Sequence, residues 1–219
     1  MVKNKKYIYF AIIPFLLSMA MKFPFPHEIP YGEPMVEVFE IPVSTINGIN
    51  FIGVISLFLL IVSLYLLVKG LNKFHFRFVV VATVVYTFTP PFVATSYQKT
   101  LASGIYAISY DSVHSKCSFE KMNETTLHGM CELPFENYSK KDVQFNIEFY
   151  KQYAFEDDTP RLSLMNNDAP YKVRLRGNES KRIKIETNID VSKMENQIDS
   201  GEASEVHLII KAGKRSRKL

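Results

Sequence analysis

The chain of 219 residues is long enough for one or two domains, at the usual size of roughly 150 residues each. Its 47% hydrophobic content excludes an intrinsically disordered protein, and its two cysteines are too few for a disulfide-framework miniprotein. The formal net charge is only +4, but apolar and charged residues separate at about residue 100. The sequence therefore predicts an apolar amino-terminal half and a charged carboxyl-terminal half.

The first apolar segment covers residues 7–21 and follows the basic residues Lys3, Lys5 and Lys6. It is short and contains Pro14, and residues 18–20 are small enough for a signal-peptidase site. Residues 1–21 are therefore either a first transmembrane helix or a signal peptide, and the sequence leaves both open.

Two longer apolar segments follow, residues 51–68 and residues 78–97, and neither contains a charged residue. A helix needs about 20 apolar residues to cross a hydrocarbon core roughly 30 Å thick. The pattern predicts a transmembrane two-helix hairpin over residues 50–98. Counting the first segment, the chain has two or three transmembrane helices and contacts membrane lipid.

The third apolar segment contains Pro90 and Pro91, which remove backbone donors and predict a bend or an end of the helix near Thr87. Thr83 and Thr87 lie on one helical face, where they predict packing against another span through hydrogen bonds, or else a polar path. No Asp, Glu, Lys or Arg lies inside the segments, so a transporter acting alone is not expected.

The orientation follows from the basic residues beside the spans, because lysine and arginine are retained on the cytoplasmic side. The link between the two longer segments carries Lys69, Lys73 and Arg77 and no acid. Residues 22–49 carry one lysine, four glutamates and five prolines, which predicts a Pro-rich outside loop. The sequence therefore predicts a multi-pass protein of the cell membrane whose carboxyl-terminal half is extracytoplasmic.

The carboxyl-terminal half shows runs in which apolar and polar residues alternate, as in half-buried strands. Turn-forming residues separate these runs, and the segment has the size of one β-sandwich. Residues 99–219 are therefore predicted to form an all-β, immunoglobulin-like β-sandwich after the α-helical membrane anchor. The runs are residues 143–149, 162–164, 171–175, 183–187 and 206–210.

Two of these runs carry cations on the side opposite their apolar residues. If they pair as a hairpin through residues 177–180, five cations share one outer face, which would suit an anionic partner. A solvated face without a partner is the alternative. The five cations are Lys172, Arg174, Arg176, Arg182 and Lys184.

The last residues of the chain carry a second cluster of cations. It would either contact a phosphate-rich surface or keep a disordered end soluble. The cluster consists of Lys211, Lys214, Arg215, Arg217 and Lys218.

The two cysteines belong to repeated His-x-x-Cys units, His114 with Cys117 and His128 with Cys131. Four such ligands would suffice for zinc or copper, which makes a metal site an alternative. A hairpin turning at residues 122–125 would instead place the cysteines opposite each other, and an outside location favours oxidation. We therefore predict a Cys117–Cys131 disulfide, with free redox-active thiols as a further alternative.

The usual catalytic and nucleotide-binding motifs are missing from the sequence. It predicts a non-enzymatic membrane protein, without cofactor, that presents its outer domain to a membrane or surface protein. Neither nucleic acid nor a small-molecule substrate is expected as a partner, and the richness in Lys, Ile and Asn favours a bacterial source. The alternatives are a redox or metal-handling accessory factor and a small accessory subunit of a transport complex.

Overall fold

A computed structural model describes residues 2–27, 32, 50–150, 161–192 and 200–219 of the chain. The predicted Pro-rich loop at residues 22–49 therefore lies mostly outside the described residues. The chain divides into two compact units, Met1–Ser96 and Tyr97–Leu219. Each unit has its own architecture.

The amino-terminal unit is built from α-helices. Asn4 and Asn50 begin the first two helices, because their side chains accept hydrogen bonds from the backbone N–H groups of Lys6 at 3.0 Å and Gly53 at 2.9 Å. The helices are α1 (Lys5–Met21), α2 (Phe51–Gly70) and α3 (His75–Thr100), whose last residues belong to the second unit.

Helices α2 and α3 are long and apolar enough to cross a membrane. Many of their large side chains point outward: Phe58 is 63% exposed and Phe92 is 71% exposed. A core helix of a soluble protein would bury such side chains, whereas lipid is a favourable surrounding for them. Helix α1 has 17 residues, fewer than a perpendicular span requires.

Helices α1 and α2 pack antiparallel through small residues. The hydroxyl of Ser63 donates to the carbonyl of Ala11 at 2.9 Å, and the hydroxyl of Ser18 donates to the carbonyl of Ser56 at 3.0 Å. At Gly70 a side chain would collide with Ile8. Small residues allow two apolar helices to approach closely, and here the serines also supply hydrogen bonds between them.

Helix α3 runs without interruption through Pro90 and Pro91, so of the two predicted outcomes near Thr87, a bend or an end, the end is wrong. In an apolar segment the helix remains the best way to satisfy the other backbone groups, even where proline removes a donor. The hydroxyls of Thr83 and Thr87 donate to the carbonyls of Val79 and Thr83, both at 3.0 Å, within the same helix. The predicted hydrogen bonds to another helix are therefore replaced by bonds to the preceding turn.

The carboxyl-terminal unit consists of two antiparallel β-sheets. In the five-stranded sheet, β3 pairs with β1, β2 and β6, and β2 also pairs with β7; its strands are β1 (Ile108–Tyr110), β2 (Lys116–Lys121), β3 (Thr126–Asn137), β6 (Ser180–Asp190) and β7 (Ser200–Ser204). In the four-stranded sheet the order is β5, β4, β8, β9; its strands are β4 (Val143–Phe149), β5 (Tyr171–Leu175), β8 (Leu208–Ala212) and β9 (Arg215–Lys218).

The two sheets share one hydrophobic core, in a sandwich-like arrangement. Along β3 every second residue is buried, and the same alternation runs through β4. Phe119 and Phe135 from one sheet and Phe145 and Ile147 from the other belong to the same cluster of buried residues. The period-two pattern therefore places one face of each sheet in the core and leaves the other outside.

Four of the five predicted runs coincide with strands, namely β4, β5, β6 and β8, although β8 begins at Leu208 and not at residue 206. The run at residues 162–164 does not: it forms a short helix, α4 (Arg161–Leu164), followed by a 3₁₀ turn at Met165–Asp168. The turn inserts the fully buried side chain of Met165 into the core beside Gly129, and the hydroxyl of Thr187 donates to the carboxylate of Asp168. Two apolar residues are too few to distinguish a strand from a helical turn.

Candidate interaction faces of the two-sheet domain

The link between β5 and β6 crosses from one sheet to the other. Strand β5 pairs with β4, whereas β6 pairs with β3, so the β5–β6 hairpin on which a shared basic face depended does not form. The link is bound to the β3–β4 connection instead: the N–H of Asn178 donates to the carbonyl of Ser139 at 2.9 Å, and the N–H of Gly177 donates to Asp142 at 3.2 Å. The five predicted cations therefore do not share one sheet face.

Gly177 makes this crossing possible, because its backbone packs directly against that of Lys140. A Cβ atom at position 177 would collide with the carbonyl group of Lys140, and a backbone carbonyl cannot rotate away as a side chain can. We expect G177A to lower the free energy of unfolding of the domain by about 2 kcal/mol, within the range for overpacked sites. Hydrogen exchange of the strand amides measures this loss. The comparison variant is G213A: a Cβ atom at position 213 meets no neighbour, but the backbone there has a positive φ. G213A therefore reports the cost of backbone strain without a collision, whereas G177A reports the cost of the collision.

The outer face of the four-stranded sheet is basic. Lys172 and Arg174 alternate with buried residues on β5, and the register places Lys211 of β8 and Lys218 of β9 on the same side. Glu148 of β4 is the one carboxylate on these strands' outer side, and it lies 2.6 Å from Lys211. We call Lys172, Arg174, Lys211 and Lys218 the basic face.

The outer face of the five-stranded sheet carries the opposite charge. Six carboxylates and three cations alternate with the buried side chains of its described strands. Arg182 and Lys184, two of the predicted basic residues, lie here and pair with Glu132 at 3.2 Å and with Glu186 at 2.6 Å. We call this surface the acidic face; its carboxylates are Glu120, Glu132, Glu136, Glu186, Asp190 and Glu202, and its third cation is Lys116.

The acidic face contains an open groove of about 530 Å³. The groove forms where short residues, Ser118 and Ser200, stand opposite longer ones across the β7–β2–β3 pairing. Among the described residues, no basic group lies within ion-pair distance of the groove carboxylates Glu120 and Glu202. The groove can therefore accept a cationic side chain. Its remaining lining residues are Phe119, His128, Met130 and Gly201.

Cys117 and Cys131 form the predicted disulfide, and they are directly opposite in the β2–β3 register. Both are buried in the core, with 1% and 0% of their surface exposed. The hairpin turn at residues 122–125 thus places the two sulfurs together as the symmetric spacing predicts.

The two histidines lie apart from this disulfide. His114 precedes β2, with its Nδ1 2.8 Å from Asp111, and His128 lies on the acidic face, with its Nδ1 2.8 Å from Asn188. Within the described part of the chain, no group of three or more His, Cys, Asp or Glu side chains could hold a metal ion. The two His-x-x-Cys units are therefore not assembled into one ligand set.

The basic carboxyl-terminal end is part of the fold, so of the two alternatives given for it, the disordered end is wrong. Strands β8 and β9 form a hairpin in which Gly213 has φ +59°, a conformation that suits glycine. The side chain of Arg217 is only 4% exposed, and its Nη1 donates to the carbonyls of Ile105 at 2.7 Å and Ile108 at 2.6 Å. The hairpin also brings Lys211 and Lys218 to the basic face, which sequence reasoning missed.

Asp142 connects the basic face to the β5–β6 link. The Arg174 guanidinium, 2.8 Å away, and the N–H of Gly177 hold the pKa of the Asp142 carboxyl below its ordinary value of 3.8. A carboxylate with a lowered pKa stabilises the fold above its unfolded pKa, and this contribution disappears as the pH falls through the folded pKa. We expect the D142N variant to lose less stability than the unmodified chain when the pH falls below about 4. Thermal unfolding at a series of pH values measures this difference. Equal losses of stability in the two chains below that pH would contradict the prediction.

A polar cluster in the amino-terminal unit was also not predicted. The hydroxyl of Ser56 lies 2.6 Å from the hydroxyl of Tyr86 and 3.5 Å from that of Ser18, so that one residue from each helix takes part. Beside it runs an apolar cleft of about 240 Å³ between the three helices. Serine and tyrosine within apolar segments give little signal in a hydropathy pattern.

Comparisons of the chain with protein-family models, with curated proteins and with solved structures find no match.

Proposed function

We propose that this chain is a non-enzymatic integral membrane protein that presents an extracytoplasmic, immunoglobulin-like domain for protein–protein interaction. The observation that carries the proposal is the combination of two spanning-length apolar helices with a separate two-sheet domain whose outer faces carry opposite charge. Charged faces of this kind favour association with complementary protein surfaces.

The disulfide supports an extracytoplasmic position of the domain. Cys117 and Cys131 are bonded in the core, and disulfides persist in oxidising compartments but are rare in the cytosol. The cations of the α2–α3 link, among them Lys73, independently favour a cytoplasmic position for that link. If α3 crosses the membrane, a cytoplasmic α2–α3 link puts the carboxyl-terminal domain on the extracytoplasmic side, which is the side that the disulfide also favours.

The strand order supports the immunoglobulin-like class. Consecutive strands β3 and β4 lie in different sheets, and so do β5 and β6. Alternation between two antiparallel sheets around one core is typical of the Greek-key connections of immunoglobulin-like sandwiches.

Two other functions have less support. A redox or metal-handling factor would use the cysteines and histidines, but the sulfurs are bonded and buried and the histidines lie elsewhere. An accessory subunit of a transport complex would use the helices, and the apolar cleft beside Phe15 and Val85 has room for a side chain from a partner helix. Neither alternative accounts for the charged faces of the outer domain.

Labelling with a membrane-impermeant maleimide tests the topology. The native cysteines are buried and bonded, so an exposed cysteine is introduced in the β2–β3 turn by M122C, at a side chain that is 67% exposed. We expect M122C to be labelled in intact cells, and K73C, in the exposed α2–α3 link, to be labelled only after lysis. Labelling of M122C only after lysis would overturn the proposed function.

A further inference from the structure

We propose that copies of this chain associate with one another, the basic face of one copy seated on the acidic face of the next. This proposal rests on the proposed function, because it names the partner of the outer domain as a second copy. It gives both faces a role in one interface.

The first step is the segregation of charge. Residues 97–219 contain nineteen basic and eighteen acidic residues, so the domain is almost neutral as a whole. On the sheet faces this balance disappears, since one face has four cations against Glu148 and the other has six carboxylates against three cations. Faces of opposite sign attract and orient each other over a distance set by the ionic strength.

The second step is the match of groups that have no internal ion partner. Among the described residues, no carboxylate lies within ion-pair distance of Lys172 on the basic face. No basic group among them lies within that distance of Glu120 or Glu202 on the acidic face. The open groove between these two carboxylates has ample room for a lysine side chain. Insertion of Lys172 of one copy into the groove of another would pair all three groups.

The third step is symmetry. The contact joins two different surfaces, so it is heterologous, and each added copy leaves one face of each kind free. Such contacts form an open row unless a ring closes. Because exposed ion pairs are individually weak and are screened by salt, we expect association within a membrane, where copies are confined, and its loss at high salt.

The test uses full-length chains in phosphatidylcholine vesicles, labelled at K73C with donor or acceptor dyes for energy transfer between copies. The basic-face variant is K172E/R174E, and the acidic-face variant is E120K/E202K. We expect each variant alone to lose the energy transfer of the unmodified chain at least several-fold, because like charges then meet. A mixture of the two should recover it, because one variant then has only acidic faces and the other only basic ones.

Two control variants make the same charge changes in turns, outside the strands that form the two faces: K140E/K214E and E124K/E205K. They should keep the energy transfer of the unmodified chain, and hydrogen exchange of the strand amides checks that every variant is folded. Any of three results would overturn the proposal. The first is energy transfer in the unmodified chain no higher than random proximity gives. The others are a mixture that fails to recover the energy transfer, and control variants that lose as much of it as the face variants. None of these results affects the labelling of M122C, so failure here is distinct from failure of the proposed function.

Discussion

The variant R217M is expected to lower the free energy of unfolding of the two-sheet domain by about 3 kcal/mol. Arg217 is buried, and its guanidinium donates to two backbone carbonyls, those of Ile105 and Ile108. Methionine fills similar space but donates no hydrogen bond, and each hydrogen bond from a charged donor contributes about 1.5–3 kcal/mol. Each carbonyl keeps one other partner, Gln98 Nε2 at 2.7 Å for Ile108 and the N–H of Ile108 for Ile105, so the expected loss is at the lower end for two such bonds. Hydrogen exchange of the most protected amides of β3 and β4 in the full chain measures the loss.

R215M is the matched control, because it removes the same charge from the same strand. Arg215 is exposed, and its guanidinium lies 5.9 Å from the ring centre of Tyr106. A surface change of this kind is usually worth less than about 0.5 kcal/mol. Equal protection in R217M and R215M would show that the two hydrogen bonds of Arg217 add nothing to the stability of the domain, and would contradict the role given to Arg217.

Arg217 illustrates a contact that sequence reasoning could not have found. Four cations in the last six residues are typical of a solvated end, and nothing local distinguishes Arg217 from Arg215. The difference comes from residues more than one hundred positions earlier, where the chain leaves two carbonyls facing β9. Gly213 was the available local signal, since glycine between alternating residues indicates a hairpin.

The helices were predictable because the signal for them is local. An uncharged segment of about 20 residues has few alternatives, and α2 and α3 cover both predicted segments. The signal for a strand is local in the same sense, because it is an alternation within one run of residues, and four of the five runs coincide with strands. The pairing of strands is not local, and there the β5–β6 hairpin, which the sequence offered as one possible pairing, does not form.

The basic face shows the consequence of this error for a site. Lys172 and Arg174 were predicted correctly as neighbours on one strand, because alternation fixes their side. Arg182 and Lys184 were assigned to the same surface only through the hairpin, and the structure places them among carboxylates instead. The groove on the acidic face depends on the pairing of β7 with β2, some eighty residues apart, which no local pattern indicates.

The disulfide was predictable because the two cysteines lie symmetrically about one turn. Removing it in C117A/C131A is expected to lower the free energy of unfolding of the domain by about 3 kcal/mol. The sequence separation is 14 residues, and a disulfide that closes a loop of this size restricts the unfolded chain by about that amount. Hydrogen exchange of the β2 and β3 amides in the full chain measures the change.

The unmodified chain after reduction is the control, because it lacks the bond but keeps both sulfur atoms in the core. Reduction should require opening of the domain, since both sulfurs are buried, and the reduced chain should show nearly the same loss as C117A/C131A. A double variant within about 0.5 kcal/mol of the oxidised chain would contradict the loop-closure argument. A loss of about 3 kcal/mol is a large share of the 5–15 kcal/mol that stabilises a typical protein. The domain would then reach its full stability only in an oxidising compartment, and a cytosolic position would leave it about 3 kcal/mol less stable.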